Sequence, residues 1–145
     1  MFDCDFSWIQ DTFELTVETG DDCAVFCHKT NGNRLLIQRD EYYTSDDKKE
    51  TFTEYTVCFS TQHRHFQDLK DALEYACDIF SDIILAVEFY DRDGRDRFGG
   101  DIKAGDGRSP AELMRKFGYT GQYLKGGRCV IHSWSGGSDG EIILT

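Results

Sequence analysis

The chain has 145 residues, with 27 acids against 16 bases for a formal net charge of −11, and at this length one domain buries about 68 to 70% of its unfolded surface without disulfide or metal staples. Eleven Phe, seven Tyr, two Trp, 39% hydrophobic content and a single Pro exclude a disordered or low-complexity chain. No run approaches the roughly 18 apolar residues that span a bilayer, and the acidic opening MFDCDFSWIQD lacks the basic n-region of a signal peptide, so a single domain over 1–145, cytoplasmic and not membrane-bound, is expected.

In Phe13, Leu15 and Val17 apolar residues alternate with Glu14, Thr16 and Glu18, the period of a half-buried strand. Cys23 to Lys29 and Arg34 to Arg39 are strand-like runs joined through Asn31-Gly32, which supplies the positive φ of a hairpin turn. Asp46 to Glu50 reads as an exposed loop before a fourth strand over Thr51 to Ser60, with Tyr55, Val57 and Phe59 on one face. The period then changes. Phe66, Leu69, Leu73, Ala76 and Phe80 recur every three or four residues, predicting a helix over 66–80 with those residues on the sheet and Asp68, Asp71, Glu74 and Asp78 outward.

Ile83 to Tyr90 is a continuous apolar run of strand length, closed by the turn signal Asp91-Arg92-Asp93-Gly94. Phe98 to Gly107 is glycine-rich and reads as a long loop. Ser109-Pro110-Ala111-Glu112 has the order of a capping box and opens a helix over 110–117. Arg128 to Trp134 and Glu141 to Thr145 form a terminal hairpin around a Gly/Ser-rich turn. Strands in hairpin-linked groups predict an α+β fold: a mostly antiparallel sheet of about six or seven strands with two helices packed on one face. Neither G-x-G-x-x-G nor G-x-x-x-x-G-K-[ST] occurs, which argues against a parallel nucleotide-binding sheet.

The candidate chemical sites are weak on spacing. Asp91, Asp93 and Asp96 do not make a calcium loop, because the fifth position is Arg95, the glycine comes at the fourth, and the twelfth is Ile102. Cys23, Cys27 and His28 with Cys58, His63 and His65 could supply four zinc ligands. On a straight strand, however, Cys23 and Cys27 stand about 13 Å apart. The six cysteines are expected to be free thiols, at least four of them in the core. Cys129 and His132, three apart on a strand, point to opposite faces, and the one G-x-S-x-G string, Gly136 to Gly140, lies in the Gly/Ser-rich turn between two expected strands and not between a strand and a helix as a nucleophile elbow requires. No metal, cofactor or catalytic residue is expected.

Charge carries the functional expectation. Residues 1–60 hold 13 acids and 5 bases, residues 61–90 hold 6 and 2, and residues 91–145 hold 8 and 9. A negative field of that size repels nucleic acid and anionic membrane and steers toward a basic partner. The expected function is therefore a non-enzymatic binding or inhibitor protein that occupies a basic surface of another protein, such as the nucleic-acid channel of a nuclease. An anti-CRISPR or antirestriction inhibitor and a nuclease immunity protein are of this kind. Asp68, Asp71, Glu74 and Asp78 are the expected contact residues, with Asp21, Asp22, Asp46 and Asp47 behind them. The competing expectation is a small enzyme or ligand-binding domain with its site around 91–107 and the terminal hairpin.

Overall fold

The alternating sequence of the first half builds a five-stranded antiparallel meander. In a computed structural model, which describes residue 2 and residues 4–44, 50–117 and 124–145, its strands are β1 (Leu15–Thr19), β2 (Cys23–His28), β3 (Arg34–Tyr43), β4 (Thr51–Phe59) and β5 (Gln62–Phe66), paired in chain order. Leu15, Ala24, Phe26, Leu35, Ile37, Val57 and Phe59 point to one face and are buried. Against that face lie two helices, α1 (Ser7–Phe13) and α2 (Leu69–Phe80), which bring Phe6, Ile9, Ala72, Tyr75, Ala76, Ile79 and Phe80 into the same core.

A second antiparallel sheet follows, in the order β7 (Asp96–Lys103), β6 (Ile84–Tyr90), β8 (Arg128–His132) and β9 (Gly140–Ile143). Its central strand β6 is buried on both sides, which is why it reads as an unbroken apolar run. Ala86 joins the first core together with Trp134, while Leu85, Val87 and Phe89 face a second core. That core is closed by Leu113 of α3 (Pro110–Lys116) with Leu124, Cys129, Ile131 and Leu144. The capping order at α3 is realised: Ser109 Oγ accepts from the Glu112 amide at 3.2 Å, with Pro110 at the first helical position.

The fold is α+β, as expected, but among the described residues the strands divide into two sheets of five and four, and there are three helices. The expectation of one sheet with both helices on one face is corrected accordingly: α2 belongs to the first core and α3 to the second. Phe13 ends α1 instead of starting a strand, and Glu14 turns the chain with φ of 52°. Phe66 ends β5, so the main helix begins at Leu69. Residues Phe98 to Lys103, expected in a loop, are strand. The glycines there serve packing: a Cβ on Gly100 would come within 2.3 Å of the Phe117 ring. No helix among the described residues is long and apolar enough to cross a membrane.

Candidate functional site

The packing of α2 decides where the acidic residues stand. Ala72, Tyr75, Ala76, Ile79 and Phe80 are its buried residues. At about 100° per residue, Leu69, Leu73 and Cys77 fall on one flank of that face, and Lys70, Glu74 and Asp78 run beside them on the outside. Leu69 and Leu73 are therefore not the centre of the sheet-facing stripe, as the periodicity had suggested, but half-buried residues at the core margin. The cause is the pair of alanines. Their small side chains let α2 approach the sheet through Ala72 and Ala76, which rotates the leucines outward.

Across from that flank stands α1, and the two helices do not pack closely along their lengths. The space between them is a groove of about 770 Å3 lined by Trp8, Thr12 and Phe13 from α1 and by Leu69, Lys70, Leu73, Glu74, Cys77 and Asp78 from α2. Trp8 is 51% exposed. Leu69, Leu73, Cys77, Phe13 and Trp8 make the walls apolar, and Glu74 and Asp78 place carboxylates at the edge. The α1 residues were not among the sequence candidates, yet Phe6, Ile9 and Phe13 recur at three and four residues. That helical signal was present.

The expected acidic residues divide into groups. Asp71, Glu74 and Asp78 share the outer side of α2, with Asp71 and Glu74 exposed and Asp78 half-buried. Asp68 is the exposed N-cap residue, and its side chain makes no capping hydrogen bond. Asp71 lies in the first turn, where a carboxylate stabilises the helix dipole. Asp78 is in the last turn, where no basic residue offsets it and the dipole opposes it. Asp21 and Asp22 occupy the exposed β1–β2 turn, where Asp22 is paired with Arg39 at 2.9 Å. That pairing engages Asp22 locally, away from the α2 row. Asp46 and Asp47, like most of the expected 46–50 loop, lie outside the described residues.

A second polar cluster joins the two sheets. Glu88 is only 7% exposed on the face of β6 that meets the β4–β5 turn. It accepts hydrogen bonds from Tyr90 Oη and, at 3.4 Å, from Ser60 Oγ, and His132 Nε2 lies 4.0 Å away. Next to it Asp101 Oδ2 accepts from Tyr75 Oη at 2.5 Å and from Gln62 Nε2 at 3.3 Å, with Arg64 at 3.5 Å. Glu88 and Asp101 thus fasten the second sheet to the β4–β5 hairpin. Burial alone would push the Glu88 carboxyl up, but hydrogen bonds from Tyr90 and Thr61, the His132 charge and the Ser60 hydroxyl hold it below its ordinary value.

A carboxyl with a depressed folded value adds stability above the ordinary range and loses it as pH falls through the folded value. Urea melts from pH 7 to pH 3 should therefore show Glu88→Gln less stable than the natural protein at neutral pH, with the gap closing below about pH 4.5. Parallel curves would show that the cluster does not depend on the charge.

The remaining sequence candidates are engaged in structural roles. The Asp91 carboxylate accepts from the amides of Asp93 and Arg95 and from Arg97 Nε at 2.8 Å, and so closes its own turn. Cys129 faces the second core, where burial pushes its thiol up to about 12, while His132 lies on the Glu88 side. Ser133 Oγ donates to Asp139 at 3.0 Å and Ser135 Oγ to Asp82, carboxylates of nearby turns and not of the Asp-rich segment. All six cysteines are free thiols, but only Cys129 is fully buried. Cys23, Cys27 and Cys58 alternate with core residues on the opposite side of the first sheet, so the expectation of at least four core cysteines fails. Among the described residues no group of three or more His, Cys, Asp and Glu is arranged to hold a metal ion. No family model matches the chain, and no curated protein and no solved structure shows significant similarity to it.

Proposed function

We propose that the protein is a non-enzymatic binding protein that occupies a basic surface of another macromolecule, with the outer side of α2 as its working surface. An inhibitor seated in the nucleic-acid channel of an enzyme is one form of this reading. The observation that carries it is the placement of Glu74 and Asp78. They stand beside an apolar groove, Glu74 at the middle of α2 and Asp78 in its last turn, which has no basic residue. Carboxylates kept only for solubility need no such neighbour, and Asp78 weakens its own helix. A cationic partner converts that local cost into binding free energy. The net charge of −11 adds long-range attraction for the same partner.

The experiment is a salt titration with an oligolysine of about ten residues as the probe, read by calorimetry. Affinity should fall about tenfold or more between 50 and 200 mM salt. Binding that is independent of salt over this range would contradict the proposal.

A further inference from the structure

We infer that the groove between α1 and α2 is the seat of a basic amphipathic helix supplied by a partner protein. This rests on the reading of α2 as the working surface and specifies the form of the partner. The α2 side of the groove presents an apolar ridge. Leu69, Leu73 and Cys77 repeat every four residues, so their side chains form a ridge with a spacing of about 6 Å, the kind of ridge that another helix meets with its own grooves. Trp8 stands half-exposed over the same space.

The groove offers no backbone for strand pairing. Both walls are helical, and helix backbones use their polar groups internally, so an extended segment finds no sheet edge to join there. Recognition must run through side chains at i, i+3 or i+4, and i+7, which is the helix-in-groove mode. Charge selects the occupant as well. Glu74 at the middle of α2 and Asp78 in its last turn line the edge, Lys70 lies toward the start of the helix, and the last turn has no basic residue. The occupant should therefore carry Lys or Arg beside its apolar face opposite Glu74 and Asp78. A second copy of this chain, with the same carboxylates in the same place, would set like charges against each other.

The test uses the full chain and three probes: a Lys/Leu amphipathic helix of about 15 residues, the same helix with Glu for Lys, and a flexible oligolysine of equal charge. Trp8 is the reporter, because the other tryptophan, Trp134, is 2% exposed and buried in the core. The Lys/Leu helix should shift tryptophan emission to the blue and bind about tenfold or more tighter than either other probe. Thr12→Phe fills the groove from an exposed position on α1 and should remove that advantage, as should Leu73→Asp. If Leu73→Asp unfolds the chain, Thr12→Phe decides.

Equal binding of the Lys and Glu helices would overturn the charge selection. Equal binding of the Lys/Leu helix and oligolysine, with no change in emission, would overturn the groove as the seat. In the latter case, sensitivity to reversal of Glu74 and Asp78 would still uphold the acidic surface. Insensitivity to that reversal would remove the underlying reading as well.

Discussion

Phe26→Ala is expected to lower the unfolding free energy by about 3 to 5 kcal/mol, and Leu73→Ala by only about 1 kcal/mol. Phe26 is 0% exposed, and its ring meets Phe6 edge-on at 5.3 Å and Phe80 at 5.4 Å. It therefore ties β2 to the residues entering α1 and to the end of α2. Its removal costs the transfer of a phenyl group and leaves a cavity that three separate elements cannot close together. Leu73 already borders an open groove, so its truncation creates no enclosed cavity. Urea melts of the two variants give the comparison directly. Equal losses would mean that α2 presents Leu73 to the sheet after all.

The second large effect concerns binding. Glu74→Lys combined with Asp78→Lys is expected to weaken the oligolysine complex about 10- to 100-fold, since each change replaces an attraction with a repulsion. The control is Glu18→Lys with Asp93→Lys, which alters net charge by the same amount at exposed positions away from α2. The control should retain most of the affinity. A lysine in the last turn of α2 is favoured by the helix dipole, so the melting temperature of the first variant should hold or rise. Loss of binding then reports the surface and not the fold. Equal weakening by both variants would show that net charge alone drives association.

Some elements declare themselves in the sequence because their own residues carry the signal. Leu15 and Val17, the Asn31-Gly32 turn, the apolar run of β6 and the Ser109 cap are local features, and the structure places strands, turn and helix where they point. Others depend on contacts that lie elsewhere in the chain. β5, with the sequence QHRHF, has three exposed residues and no apolar alternation, and it becomes a strand by pairing with β4 across the tight turn at Ser60 and Thr61. β7 looked like a loop because its glycines make room for Thr61 and Phe117, neither of them adjacent in sequence.

The acidic row was legible for the same reason that the groove was not. A row on one helix follows from spacing alone, whereas the groove needs α1 set against α2. The helical spacing of Phe6, Ile9 and Phe13 was overshadowed by the shorter alternation of Phe13, Leu15 and Val17. Once Phe13 is assigned to α1, Trp8 and Thr12 come to face Leu69 and Leu73 across the groove. The rotation of α2 is likewise a tertiary effect: periodicity gives the width of an apolar stripe, but the alanines at 72 and 76 decide which part of it meets the sheet.

Whether α2 and its groove receive a cationic partner is read out residue by residue in an amide NMR titration of the full chain with the Lys/Leu helix. The largest shifts should fall on residues 70–78 of α2 and residues 8–13 of α1, with the indole signal of Trp8 moving among them. Shifts centred instead on the 91–107 segment and the terminal hairpin, with α1 and α2 unchanged, would contradict the groove as the seat.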